Sequence, residues 1–177
     1  MKGAQRLTDV PDDEQPMALS KAEREFHRKT AVSCFNRTWD YLLKKNLDPK
    51  AGQEMLHLAH ASRYHWGVLG GAHQQAVGDW QVSRAYSALG DSGLALQFAL
   101  SSLSLCERKH LDGLVPSAME GVARAYAVAK DRSNATRLIK MARAELGRLR
   151  LDTEDWKIFE TQIRETEALI ERKGVRR

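Results

Sequence analysis

The sequence has few of the features that mark secreted or membrane-spanning proteins. Its only two cysteines, Cys34 and Cys106, lie far apart, which fits neither a disulfide framework nor the close spacing of a zinc ribbon. No apolar run approaches the roughly 20 residues that a membrane-spanning helix needs. The first residues contain no apolar signal segment. We therefore expect a cytoplasmic protein without membrane attachment.

Motifs for catalysis and cofactor binding are also missing. The sequence contains no G-x-S-x-G nucleophile elbow, no P-loop and no G-x-G-x-x-G motif. Gly70-Gly71 is not followed by the Lys-Ser/Thr pair of a phosphate-binding loop, so we interpret it as a helix break. We predict no catalytic residues and no cofactor, and a non-enzymatic role is favoured.

The charge distribution does not indicate nucleic-acid binding. The formal net charge is +5, but part of the basic excess belongs to a short tail at residues 173–177, whereas residues 1–18 are acidic. The other charges mix both signs at helical spacing, which is typical of a solvated helix face. No basic stripe or known nucleic-acid module is recognisable. Nucleic acid is therefore not an expected partner.

The pattern of apolar residues predicts an all-α chain. Only four prolines and twelve glycines interrupt 177 residues, and no segment alternates with the period of two that a strand requires. Helix starts are marked by a capping box at Ser20 to Glu23 and by Asp48-Pro49. The predicted helices cover residues 20–46, 48–69, 72–89, 91–109, 116–130, 131–149 and 154–172.

These helices are expected to form one domain over residues 19–172. A flexible arm (1–18) precedes this domain and the basic tail (173–177) follows it. The last helix is predicted to cap the stack by covering its open apolar end.

A repeat lies within the helical region. Residues 83–91, SRAYSALGD, align without gaps with residues 123–131, ARAYAVAKD, at an offset of 40 residues. Tyrosine, aspartate and alanine recur at matching places. The recurring small residues allow the two helices of a hairpin to pack closely.

This pattern resembles a tetratricopeptide repeat (TPR): a helix ending in Tyr86, a turn with Gly90-Asp91, and a second helix with small residues. The usual TPR period is 34 residues, so the connection at 110–116 would hold the additional ones. Lys130 replaces the turn glycine in the second copy, and Asp79 stands where a large apolar residue is expected.

The chain also resembles bacterial TPR-like proteins in the segments FNRTWDYL, EMLHLAHASRYHW and GDWQVSRAYSALG. This resemblance implies a right-handed superhelix of antiparallel helical hairpins. It implies no particular activity.

The resemblance also implies a binding groove, since the first helix of each TPR hairpin lines the concave face. The residues predicted to line this groove are Asn36, Trp39, Trp80, Arg84, Glu120 and Arg124. An aromatic side chain beside two guanidinium groups suits a peptide or an anionic group. The alternative is that Arg84 and Glu120 only pair between helices and that Trp80 belongs to the core. A protein or peptide partner is predicted, and a self-associating homo-oligomer is a further hypothesis.

The second helix suggests a different function. Glu54 and His57 share a helix face at Glu-x-x-His spacing, and His60 lies one turn further. Carboxylates and imidazoles together could hold zinc or iron, which would make the protein a small metal-dependent enzyme or a metal-binding protein. A metal site in a helix bundle usually needs a second such motif on a facing helix, and the sequence has only one. The simpler interpretation is that the histidines pack within the hairpin.

Overall fold

The computed structural model describes residues 18–150 and 153–171. These residues form seven α-helices, one short 3-10 helix and no strand. The predicted all-α class and number of helices are confirmed. The α-helices are α1 (Lys21–Leu42), α2 (Pro49–Leu69), α3 (Ala72–Ala88), α4 (Ser92–Arg108), α5 (Val115–Val128), α6 (Arg132–Arg148) and α7 (Thr153–Glu171).

The helix starts follow the predicted caps. The Ser20 side chain accepts a hydrogen bond from the Glu23 backbone amide, and the Glu23 carboxylate accepts one from the Ser20 amide. Asp48 caps α2 in the same way, with Pro49 as its first residue. Helix α1 ends at Leu42 rather than near Asn46, because the chain needs these residues to turn back and Asp48 must be extended before a proline.

Helices pack both with their neighbours in sequence and in a second, longer-range order. The pairs α1–α2, α3–α4 and α5–α6 are in contact along the chain. In addition, α1 contacts α3, α3 contacts α5, and α5 contacts α7. The four odd-numbered helices therefore form one continuous layer, called here the odd-helix layer.

Alanine supplies much of the core. Several alanines on α3 to α6 are almost completely buried, namely Ala85, Ala95, Ala99, Ala123, Ala135 and Ala142. Larger side chains such as Met55, Leu146 and Ile163 fill the space between the closely spaced helices. Close backbone approach follows from these small side chains.

The two copies of the repeat build the same turn. Gly90 and Lys130 both adopt left-handed backbone conformations, with φ of 83° and 67°. In each turn the next residue, an aspartate, donates its backbone amide to a tyrosine carbonyl: Asp91 to Tyr86 at 3.0 Å, and Asp131 to Tyr126 at 2.9 Å. Lys130 therefore replaces the turn glycine without changing the turn.

The predicted arm, apart from Ala18, and the predicted basic tail lie outside the described residues. Among the helices of the described ranges, none is both long and apolar enough to cross a membrane.

Candidate functional site

Two adjacent cavities open on the odd-helix layer. The first, the apolar cavity, has a volume of about 350 Å³. The second, the arginine cavity, has a volume of about 490 Å³ and contains Arg84, Arg124 and Glu165. Trp39 of α1 lines both. The two cavities therefore meet at this indole ring.

Three helices supply the aromatic side chains that line the apolar cavity. Phe35 and Trp39 come from α1, Trp80 comes from α3, and Ile158 and Phe159 come from α7. The Trp39 and Trp80 rings are in contact, with their centroids 5.9 Å apart. A volume of a few hundred Å³ with aromatic walls is the usual form of a ligand pocket.

One polar side chain of the apolar cavity has unused hydrogen-bonding capacity. Gln162 is only 9% exposed, and its Oε1 accepts a hydrogen bond of 2.8 Å from the Ser117 hydroxyl. No residue in the described ranges accepts a hydrogen bond from the Gln162 side-chain amide. Since this nitrogen has no such partner and is not fully buried, it is a candidate donor to a ligand in the cavity.

Arg84 lies at the border between the cavities. Its guanidinium carbon stands 5.3 Å from the Trp39 ring centroid and 5.2 Å from that of Trp80, which is the range of cation–π attraction. Arg84 is 8% exposed. Burial lowers the pKa of Arg84, and the nearby charge of Arg124 lowers it further, while Glu120 and Glu165 oppose both effects.

The carboxylate of Glu120 is fully buried and accepts hydrogen bonds from three helices. The donors are Trp80 Nε1 at 3.2 Å, Arg124 Nε at 2.8 Å and Thr166 Oγ1 at 2.5 Å. Arg84 Nη1 lies 3.7 Å from the same carboxylate. Burial alone would raise the pKa of Glu120, but these partners outweigh it and the pKa falls below its ordinary value.

A second carboxylate, that of Glu165, joins the two arginines from α7. It accepts hydrogen bonds from Arg84 Nη2 at 2.6 Å and Arg124 Nη2 at 3.2 Å. Unlike Glu120, its side chain is 48% exposed. The guanidinium groups are therefore each held by one buried and one surface carboxylate.

The structure brings together five of the six residues predicted for the groove. Trp39, Trp80, Arg84, Glu120 and Arg124 contact one another in the network described above. The sixth, Asn36, is exposed on α1 and lines neither cavity. Arg84 and Glu120 do pair between helices and Trp80 is buried, as the structural alternative predicts.

Sequence reasoning missed the contribution of α7. Gln162, Glu165 and Thr166 come from a helix that lies outside the repeat, so no register assigned them to the groove. The sequence did contain one indication that α7 contributes polar groups to the interior. Gln162 and Thr166 are polar residues close to the apolar Ile163 on the same helix. Both are buried.

Asp79, which stands where the repeat pattern expects a large apolar residue, is buried and paired with a charged partner. Asp79 is 3% exposed and accepts hydrogen bonds from Arg63 Nε and from Ser101 Oγ. Asp79 can replace the expected apolar residue because Arg63 of α2 supplies the opposite charge beside it.

The histidine-rich helix α2 does not assemble the predicted metal ligands. Glu54 and His57 are exposed, whereas the Nε2 of His60 is hydrogen-bonded to the Tyr86 hydroxyl at 2.9 Å. Within the two described ranges, no group of three or more histidine, cysteine, aspartate or glutamate residues is placed to hold a metal ion. His60 therefore packs within the fold, as the simpler interpretation expects.

A histidine pair links α1 to α2. The Nδ1 atoms of His27 and His65 lie 2.7 Å apart, so one ring donates a hydrogen bond to the other. Burial and the neighbouring His27 lower the pKa of His65.

No protein-family model, curated protein or solved structure matches the chain. The TPR resemblance therefore stays a prediction.

Proposed function

We propose that this chain is a TPR-like protein that binds a segment of a partner protein along its odd-helix layer. One observation carries the proposal: the apolar cavity has aromatic walls and is also lined by the polar side chain of Gln162. The contacts of α1 with α3, of α3 with α5 and of α5 with α7 support the TPR-like arrangement.

The cavity suits one large apolar side chain of the partner. Burial of a leucine or phenylalanine side chain contributes about 1.5–3 kcal/mol. The side-chain amide of Gln162 can donate a hydrogen bond to a backbone carbonyl of the same segment, because every peptide unit carries such an acceptor. Peptide recognition therefore uses both features of the cavity.

The cytoplasm is the compartment that we propose for this binding. Cys34 and Cys106 are both free thiols in the described chain. Burial raises the pKa of Cys106 to about 11, so this thiol stays protonated near neutral pH. Unpaired cysteines are typical of proteins in a reducing environment.

A selection from a random-peptide display library tests the proposal. Ile158 lines the apolar cavity and is 54% exposed, whereas Leu100 is 46% exposed and lines neither cavity. We expect enriched peptides to share a large apolar residue and to bind the Ile158→Asp variant at least about tenfold more weakly, which corresponds to about 1.4 kcal/mol.

The Leu100→Asp variant is the matched control and should bind the peptides like the unchanged protein. Urea unfolding of both variants checks that each remains folded. Peptides that bind Ile158→Asp with undiminished affinity, or a selection without enrichment, would contradict the proposed function.

A further inference from the structure

We infer that the partner segment carries a carboxylate beside its apolar anchor, and that this carboxylate replaces Glu165 on Arg84 and Arg124. The inference rests on the proposed function and specifies the chemistry of the ligand. Four side chains are involved: Arg84, Arg124, Glu120 and Glu165.

The arginine cavity directly continues the apolar cavity. Trp39 lines both, and Arg84 follows Trp80 by four residues on α3, which is one helical turn or about 6 Å. On α7, Glu165 follows Gln162 by three residues and so lies on the same helix face. A ligand side chain in the apolar cavity therefore has two guanidinium groups about one helical turn away.

Two carboxylates balance these guanidinium groups, but only one of them is fixed. Glu120 is fully buried and accepts three hydrogen bonds, so it stays in place. Glu165 is half exposed and can rotate into solvent. Because the Arg84 side chain is only 9% exposed, its guanidinium group needs a carboxylate at this place, and Glu165 can leave when another carboxylate replaces it.

Replacement of Glu165 by a ligand carboxylate keeps the charge balance of the site. The incoming group takes over the hydrogen bonds from Arg84 Nη2 and Arg124 Nη2, which lie 2.6 Å and 3.2 Å from the present carboxylate. Two arginine nitrogens that converge on one oxygen are well suited to carboxylate binding. Glu165 thus occupies the place of the ligand group in the free protein.

The distance between the cavities predicts a spacing in the ligand. In an extended peptide, side chains two positions apart point to the same side and are about 6.6 Å apart. This matches the single helical turn between Trp80 and Arg84. The expected ligand pattern is a large apolar residue, any residue, and then Asp or Glu, in either chain direction.

Peptides from the display selection test this inference. We expect the enriched peptides to carry an acidic residue two positions from the apolar residue, and replacement of that acid by Gln or Asn to weaken binding about tenfold in fluorescence anisotropy. The Glu165→Gln variant should bind the acidic peptides about three- to tenfold more tightly, because the arginines no longer have an internal competitor. Its affinity for the amide peptides should not change.

Glu167→Gln serves as the matched control, since Glu167 lies on α7 and pairs with Arg143, outside both cavities. Its affinity for both peptide types should equal that of the unchanged protein. Urea unfolding of both variants verifies the fold.

The two proposals fail in different ways. Apolar peptides that bind without an acidic preference, together with no gain in Glu165→Gln, would overturn this inference and leave the proposed function standing. A selection that yields no peptide dependent on Ile158 would overturn both.

Discussion

At the scale of single residues, the carboxylate of Glu120 connects three helices. It joins Trp80 of α3, Arg124 of its own α5 and Thr166 of α7 through hydrogen bonds. Because it is fully buried, it also compensates the positive charge of Arg84 in a place that water does not reach. The group thus links α7 to α5 and, through Trp80, to α3.

Replacement of Glu120 by Gln should strongly destabilise the protein. The variant keeps the size of the side chain but removes its charge, so Arg84 loses its buried counter-ion. Breaking one partner of a buried ion pair costs about 3–5 kcal/mol, and we expect a loss of about 3 kcal/mol in the free energy of unfolding, measured by urea denaturation.

Glu145→Gln is the control for this measurement. Glu145 pairs with the exposed Arg148 on the surface of α6, and its replacement should cost no more than about 0.5 kcal/mol. Equal losses in the two variants would show that Glu120 is not a structural centre.

Whether a residue of this network could be predicted depends on whether it belongs to the repeat. Trp80, Arg84 and Arg124 could be predicted because the repeat register assigns a helix face to each. Glu165 could not, since α7 shares no motif with the repeat and its contact with α3 spans 81 residues of sequence. The position of Glu165 depends on packing between helices that are far apart in the chain, and local sequence patterns do not reveal such packing.

At the scale of secondary-structure elements, the turn between α5 and α6 contains an unfavourable residue. Lys130 has a φ of 67°, a conformation that a side chain with a Cβ adopts at a cost of about 1 kcal/mol. The corresponding Gly90 has no such cost. The hydrogen bond from Asp131 to Tyr126 helps to hold the turn in this form.

Replacement of Lys130 by Gly should therefore stabilise the protein by about 0.5–1 kcal/mol. The larger freedom of glycine in the unfolded chain opposes part of this gain. Thermal unfolding followed by circular dichroism measures the change. The reciprocal variant, Gly90→Lys, should lower stability by a similar amount. A decrease in stability for Lys130→Gly would show that the lysine side chain makes a compensating contact.

Most element boundaries could be predicted because they depend on local chemistry. The capping box at Ser20, the Asp48-Pro49 start and the glycine at residue 90 each act within a few residues of themselves. The end of α1 could not be placed, because no glycine or proline between Leu42 and Asp48 marks it. The short helix Asp112–Leu114 lies within the segment that the sequence indicated only as a connection.

At the scale of the whole molecule, two partly buried histidines link stability to pH. Burial lowers the pKa of His60, with a further decrease from His57 that Asp79 opposes. Burial and His27 lower the pKa of His65. The folded protein therefore favours the neutral form of both rings, whereas the unfolded chain binds protons near pH 6.5.

Stability should accordingly fall as the pH decreases from about 7.5 to 5.5, because the unfolded state binds more protons over that range. Urea midpoints at three pH values measure this slope. A His60→Gln/His65→Gln double variant should show a flatter slope, and His73→Gln, at an exposed position, should retain it. An unchanged slope in the double variant would assign the pH dependence to other groups.

The layered order of the helices could not be predicted from the apolar pattern. Helical periodicity predicts which residues of α3 and α5 are buried, but not that α1 contacts α3 or that α5 contacts α7. Such contacts depend on the relative rotation of hairpins, which side-chain packing across the whole molecule determines.

The hydrogen bond between Trp80 and Glu120 requires the two repeat copies to differ at one position. These residues occupy equivalent positions in the two copies, 40 residues apart, and one is a donor while the other is an acceptor. Two identical copies with tryptophan at both positions, or glutamate at both, could not form this bond. The two copies therefore have different hydrogen-bonding roles at this position, and neither can be replaced by a duplicate of the other without loss of this hydrogen bond.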